Sequence, residues 1–259
     1  MRKNRLSILR RSPDFQASEK PVLCKAIFTS VAKFDGLALG LFISLNVNML
    51  NGQNIWAVGR NYAEHIRELG NADAKAPPKN PMIFLKAGSC RVANHASFTL
   101  PSFSSDIHHE VEIALRFGPK LKIDAFTIAL DLTARDTQNI LKAASHPWTL
   151  AKSFKNSCPL GDWHLLKTED EPSAHKELAE LHFSLKVNGE LRQKAQVSEM
   201  IFSMQKVCDY VRDNFPVLPG DVLLTGTPSG VAAIKPGDLL EAEITHFVKA
   251  TWKVDPKNA

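Results

Sequence analysis

The second half of the chain is punctuated by turn chemistry that leaves little room for long helices. In "HFSLKVNGELRQ" (182–193) the pair Asn188-Gly189 sits between two runs of alternating apolar and polar residues. A tight two-residue hairpin turn needs positive φ at both central residues, and Asn-Gly reaches it at low cost, so the spacing predicts two antiparallel strands. A Pro-Gly-Asp turn followed by a β-type run occurs twice, in "PGDVLLTGTPSGV" from Pro219 and "PGDLLEAEI" from Pro236, and "HFVKATWKV" (246–254) adds another alternating strand. Helical periodicity is confined to Asn61 to Leu69, Leu132 to Ala144 and Met200 to Asp213, the last with Ile201, Met204, Val207, Cys208 and Val211 on one face. The fold class that follows is α+β, mostly β with short helices. "GNADAKAPPKNP" (70–81) reads as a Pro-rich loop and "TEDEPSAHKELAE" (168–180) as a charged surface insertion. No internal repeat of solenoid or propeller period is visible.

With 259 residues, 44% hydrophobic and 23% charged, the chain has ordinary globular composition. Its net charge of +5 is localised. Residues 1–48 hold eight Lys or Arg against three acids, which is the whole surplus, so the remaining chain is neutral. A nucleic-acid footprint needs a basic face on the folded body, and none is available here. Cys24, Cys90, Cys158 and Cys208 lie far apart, without a C-x-x-C pair, which suits free thiols in a reducing compartment and argues against disulfides or a zinc finger.

"LALGLFISLNVNML" (37–50) is the most apolar run, but Ser44, Asn46 and Asn48 interrupt it and it falls short of the ~20 residues that span a bilayer. Buried strand is the expected fate, and no membrane association is expected. The opening "MRKNRLSILRR" is Arg-rich and acid-free, although Asp14 and Glu19 follow soon. The expected compartment is the cytoplasm, with the mitochondrial matrix as the alternative.

Chemistry concentrates in a few segments. In "DIHHEVEIAL" (106–115), Glu110 and Glu112 share one face of a strand while Val111 and Ile113 take the other. Adjacent carboxylates repel, so they need open water or a cation between them. His108 has the parity to join them, but His109 faces away. In "GRNYAEHIREL", His65 and Glu68 are three apart on a helix, either an exposed surface pair or a base whose tautomer a carboxylate fixes. Asp131, in "ALDLTARDTQNIL", ends an apolar run just before a helix start and is either a helix N-cap or a strand-tip ligand. Lys152, among Leu150, Ala151 and Phe154, either anchors an anion or extends to the surface. In "LLTGTPSG", Gly226 lets the backbone approach an anionic ligand closely.

Taken in order, "VGRNYAEHIRE", "IFLKAGS", "DIHHEVEIAL", "ALDLTARDTQ", "PWTLAKSFKNSCPLG", "LKVNGELRQ", "MIFS" and "PGDVLLTGTPSGV" resemble the fumarylacetoacetate hydrolase family, in particular its small single-domain branch of acylpyruvases and oxaloacetate decarboxylases. The resemblance runs from about Ile55 to the C-terminus. It implies a mixed β-roll, a homodimer, and Mg²⁺ or Mn²⁺ held by Glu110, Glu112 and Asp131. It further implies catalytic roles for His65, Glu68 and Lys152, and contacts from Arg135, Gln138 and Thr227 to a small 2-oxo acid. Three oxygen ligands suit such a hard cation and leave positions open for water and a chelating substrate.

The implied activity is cation-dependent cleavage of a C–C bond in a 2-oxo acid, as an acylpyruvate or fumarylpyruvate hydrolase or an oxaloacetate decarboxylase. Keto–enol tautomerisation of oxaloacetate is an alternative. A catalytically impaired homologue is another, because the stretch from Glu112 to Asp131, through "FGPKLKID", is shorter than the family pattern, which would leave Asp131 far from the other two acids. The resemblance, in which members begin near the place of Met49, also implies that 1–48 is dispensable, either an extension or the result of a start placed too far upstream, and that 49–259 is the catalytic domain.

Overall fold

The computed structural model describes residues 54–68, 78–168 and 170–256, all within the unit Asn51–Ala259. The expected strand at 37–50, the expected extension 1–48 and most of the expected loop at 70–81 lie outside the described residues.

The chain runs through β1 (Ile55–Gly59), the short helix α1 (Ala63–Glu68), β2 (Met82–Lys86), β3 (Arg91–Val92) and β4 (Ser97–Phe98) to β5 (Ile107–His109) and β6 (Val111–Phe117). A short connection leads into β7 (Ile123–Leu130), followed by β8 (Thr133–Ala134), α2 (Arg135–Ala143) and α3 (Thr149–Lys152). Next come β9 (Cys158–Pro159), β10 (His164–Leu165), α4 (Glu171–Ala179), β11 (His182–Val187) and β12 (Glu190–Gln196). After α5 (Met204–Asn214), the strands β13 (Val222–Leu224), β14 (Ala232–Ala233), β15 (Leu239–Ile244) and β16 (Val248–Val254) complete the fold.

Two sheets dominate the described residues, ordered β10-β7-β6-β13-β1-β2 and β12-β11-β15-β16-β4, beside a smaller β14-β5-β8 sheet and a β3-β9 pair. The period of two along each strand decides what lies where. In β6, Val111, Ile113, Leu115 and Phe117 enter one large core with Phe126, Ile128 and Leu130 of β7 and with Phe183, Leu185, Ala242 and Trp252 from the second sheet. Ala114 and Ala129 face the other way, into a smaller cluster with Ile55, Ala57, Val222 and Leu224. The central strands β7, β6, β13 and β1 are therefore buried on both faces, and Glu112 shares the second face with Ala114.

Asn188 and Gly189 take φ of 54° and 80°, and Val187 pairs with Glu190 across the expected hairpin. α5 begins at Met204 rather than Met200, because the Ser203 side chain caps it and the Ile201 and Phe202 N–H groups bond Asn61 instead. α2 begins at Arg135 rather than Leu132, because Thr133 and Ala134 pair with β5. Residues 168–180 depart from the surface-insertion reading. They include α4, which starts at a capping Asp170 and buries Ala174, His175 and Leu178. Its apolar positions at i and i+4 were outweighed in the sequence by the charged residues around them. Cys90, Cys158 and Cys208 are free and buried. No helix among the described residues is long and apolar enough to cross a membrane.

Candidate active site

β6 and β7 form an antiparallel pair with Val111 opposite Leu130 and Glu112 opposite Ala129. One step further along that register, the Asp131 N–H donates to the Glu110 carbonyl at 2.8 Å, so these two residues are cross-strand neighbours. Glu112 lies diagonally across on the same face. Oxygens of Glu110, Glu112 and Asp131 all come within 4.8 Å of one another, and all three residues are buried. The sequence expectation that a short 112–131 segment keeps Asp131 away is therefore corrected. Residues 118–122 close a direct hairpin, with the Gly118 N–H bonded to the Lys122 carbonyl at 2.7 Å, and the register depends on the ladder rather than on further length between the strands. Asp131 is not a helix cap either: Ala134 occupies that position of α2.

Three cations face the three acids. Lys152, in the last turn of α3, gives its Nζ to Glu110 Oε2 at 2.7 Å, Asp131 Oδ2 at 2.5 Å and Thr133 Oγ1 at 2.7 Å. An ammonium has three N–H donors, so all three are engaged by the protein. Lys86, fully buried at the end of β2, bonds Asp131 Oδ1 at 2.7 Å and the carbonyls of Leu132 and Lys152. Arg135 bonds Glu110 Oε1 through Nη2 and Gln138 Oε1 through Nη1 at 2.7 Å. Burial alone would raise the Glu110 carboxyl, but Lys152 and Arg135 together hold it well below the usual range. Burial lowers the Lys152 ammonium, and the Asp131 and Glu110 charges more than reverse that.

Glu112 is different. Among the described ion pairs and hydrogen bonds no cation reaches it, and its Oε2 accepts only the Gly226 N–H, at 2.6 Å. Burial, then the Asp131 charge, push its carboxyl well above the usual range. A buried carboxylate without a cation, beside two others, fits a site for a hard divalent ion. Gly226 has φ +101°, and a Cβ there would stand 2.6 Å from the Asn61 Cβ, so only glycine presents this N–H. The close backbone approach expected at Gly226 thus serves Glu112 directly.

His65, buried on α1, lines the same cleft and stands 3.3 Å through Nδ1 from Glu68 Oε2. Glu68 in turn accepts the Gly230 N–H at 3.0 and 3.2 Å. This network assigns the Nδ1 proton toward Glu68 and leaves Nε2 as the acceptor. Burial lowers the His65 imidazole below its ordinary value, so it is neutral near pH 7. Gln138 and Thr227 also line the cleft. With Oε1 occupied by Arg135, the Gln138 amide keeps its N–H₂ for a ligand. Thr227 Oγ1 accepts from Gln193 Nε2 at 2.9 Å, which leaves its own O–H to donate. His108 stays outside the carboxylate cluster, bonded to Asp106 at 2.9 Å, and His109 faces away toward Gln193 at 2.9 Å.

Sequence reading missed three residues that build the site. Lys86 ends the apolar run "MIFLK", where a lone lysine after four apolar residues was the available signal. Gln193 is buried at the end of "NGELRQ", and its Oε1 accepts from the Val111 N–H at 3.0 Å and from His109. Asn61, buried after β1, joins the carbonyls of Phe202 and Thr225 at 3.0 and 2.9 Å.

Residues 54–255 match the family model described as "Fumarylacetoacetate (FAA) hydrolase C-terminal". Over 214 residues the chain is 38% identical to oxaloacetate tautomerase FAHD1, mitochondrial, of Homo sapiens, covering 79% of this chain and 92% of that protein. It is also 38% identical, over 205 residues, to oxaloacetate decarboxylase, mitochondrial, of Dictyostelium discoideum, covering 75% and 89%. A fumarylpyruvate hydrolase from Pseudomonas aeruginosa, solved in complex with Mn²⁺ and pyruvate, superposes with a TM-score of 0.70 at 27% identity, covering 80% of this chain and 91% of that one. The fold, the motifs in their order and these similarities agree: the chain is an enzyme of the fumarylacetoacetate hydrolase family.

Proposed function

We propose that the enzyme cleaves a carbon–carbon bond in a 2-oxo acid, hydrolysing an acylpyruvate or fumarylpyruvate or decarboxylating oxaloacetate, with Mg²⁺ or Mn²⁺ bound by Glu110, Glu112 and Asp131. The observation that carries this reading is the convergence of three buried carboxylates within 4.8 Å in a cleft that His65 also lines. When bound, such a cation supplies Lewis-acid stabilisation for negative charge developing on the 2-oxo oxygen.

The side chains account for the rest. Gln138 and Thr227 offer their remaining donors to the oxo-acid head, and Arg135 keeps Gln138 turned for that purpose. Lys152 steadies enolate charge once it exchanges one of its present acceptors for the ligand. Neutral His65, aligned by Glu68, takes a proton from the water that attacks the distal carbonyl carbon. The electrons of the breaking C–C bond pass to the departing methylene carbon as the pyruvate enolate, and protonation at that carbon gives pyruvate beside the released acid. Oxaloacetate loses carbon dioxide by the same electron movement without needing a water.

A second reading, tautomerisation of oxaloacetate, is favoured by the name of the human relative. It needs only proton transfer at the carbon between the carbonyls, which His65 is positioned to perform. The impaired-homologue reading finds no support in the hairpin geometry. The family resemblance favours a homodimer. The mitochondrial names of the relatives favour the matrix over the cytoplasm.

Purified full-length protein, with and without Mn²⁺, is assayed on oxaloacetate, acetylpyruvate and fumarylpyruvate, with the keto–enol ratio followed in parallel. Mn²⁺-dependent release of pyruvate supports cleavage. Loss of the enol signal without pyruvate leaves tautomerisation, and chelator-insensitive activity removes the cation from the reading.

A further inference from the structure

The cleft carries two cations beyond those that balance its acids. Lys86, Lys152 and Arg135 offset Glu110, Glu112 and Asp131, three against three. Arg60 and Lys142 line the same cleft, and among the described ion pairs and hydrogen bonds neither has an acidic partner. Each is held in place by the fold. Lys142 follows Arg135 and Gln138 at seven and four residues along α2, so all three share the face that borders the cleft. Its Nζ lies 5.2 Å from the centroid of the Trp148 ring, which orients the ammonium yet leaves its N–H donors unbonded.

Arg60 has φ +60°, a left-handed conformation that a long side chain seldom adopts. It sits between the end of β1 and Asn61, whose side chain is tied to Phe202 and Thr225, so the neighbours impose this backbone. Such imposed conformations concentrate at ligand sites. Burial, then Arg135, Arg60 and Lys152, weaken the hold of Lys142 on its proton, with Glu110 opposing, so the cations lie close enough to repel one another. A ligand anion between them relieves that repulsion.

We propose that Arg60 and Lys142 form a second anion subsite that receives a carboxylate at the far end of the substrate, so that the enzyme favours 2-oxo acids with two carboxylates over those with a neutral tail. The inference rests on the 2-oxo acid reading of this site and narrows its substrate class.

The test compares kcat/KM for fumarylpyruvate, which ends in a carboxylate, with that for acetylpyruvate, which ends in a methyl group, in Mn²⁺-loaded wild type, Arg60→Gln and Lys142→Met. One charge-assisted hydrogen bond corresponds to roughly a 10- to 100-fold effect, so the fumarylpyruvate-to-acetylpyruvate ratio is expected to fall by that much in each variant and to recover in Lys142→Arg. Calorimetric binding of 2-oxoglutarate and 2-oxobutyrate, which share the head group and differ in the distal carboxylate, reads the same preference without turnover. A wild type without preference in either assay overturns the proposal, as does a ratio unchanged in both variants. If binding preference depends on Arg60 and Lys142 while no substrate is cleaved, the subsite stands and the cleavage reading fails. If cleavage proceeds with an unchanged ratio, the reverse holds.

Discussion

Replacing Glu112 by Gln should reverse its effect on stability according to whether a divalent cation is present. The amide oxygen still accepts the Gly226 N–H, so the 2.6 Å bond and the packing survive, and only the charge is lost. Ligand oxygens of Glu112, Glu110 and Asp131 lie within 4.8 Å of each other, and two unit charges at that separation repel by about 3.5 kcal/mol at an effective dielectric near 20. Burial adds to the cost of the Glu112 charge, and the neighbouring cations, Lys152 foremost, offset part of the repulsion, so the net gain on removing that charge is a fraction of this, about 1–2 kcal/mol. For a domain of this size that raises the metal-free melting temperature by roughly 2–8 °C. Wild type with the cation at about 100 times its Kd gains about 2.7 kcal/mol. The variant, short of one anionic ligand, should gain almost nothing. Scanning calorimetry with and without Mn²⁺, and titration calorimetry of Mn²⁺ into each protein, measure both arms. The expected pattern is a crossing, with the variant more stable without the ion and less stable with it. A variant that melts below wild type without Mn²⁺ and rises as much with it would refute the assignment of this cluster as a cation site.

Other consequences are equally measurable. His65→Ala should slow acylpyruvate hydrolysis by about 10²–10⁴-fold while sparing oxaloacetate decarboxylation, and wild-type hydrolysis should keep its acid limb below pH 6.5 because burial lowers the imidazole; equal loss of both activities contradicts this division. Gly226→Ala should cost about 1–3 kcal/mol and weaken Mn²⁺ binding, since a Cβ at φ +101° meets Asn61; an unchanged melt and unchanged affinity would count against the turn's role. Asp136, in the first turn of α2, accepts from Ser104 and Thr137 and from two backbone N–H groups. Burial, the largest single influence, raises its carboxyl, but these donors together outweigh it and lower it to about 2 from 3.8, so its stabilisation is complete above 3.8 and disappears as pH falls through about 2. Asp136→Asn should therefore unfold at lower urea than wild type near neutrality and converge with it in acid, and a gap that persists in acid argues that the loss is not electrostatic.

What could be read from the sequence was whatever depends on neighbours along the chain. The Asn188-Gly189 turn fixes its hairpin locally, and the alternation in "EVEIAL" states which side chains share a face of β6. The helical face of α5 was legible for the same reason, although its first residue was set by a remote partner, Asn61. The meeting of Asp131 with Glu110 and Glu112 is a matter of register between two strands. Motif order could suggest it, but segment length argued the other way, and the ladder hydrogen bonds decided. Gln193 and Asn61 were invisible for a related reason, since each acts on groups tens of residues away and no short pattern marks it, while the apolar run before Lys86 pointed to its burial but not to its partner Asp131.

The engagement of both buried lysines by the acids bears on how the enzyme would discriminate between keto and enolate forms. Lys86 and Lys152 each engage three acceptors, so Glu110 and Asp131 are oriented before any ligand arrives. The three cations and three carboxylates cancel in number, so a divalent ion, were Glu110, Glu112 and Asp131 to hold one, would leave this end of the cleft with two positive charges. A 2-oxo acid head brings one negative charge in its keto form and two as the enolate that forms when the bond breaks. Only the enolate matches the two positive charges. The attraction would then grow as the reaction proceeds, which is the condition for binding energy to raise kcat rather than merely to lower KM.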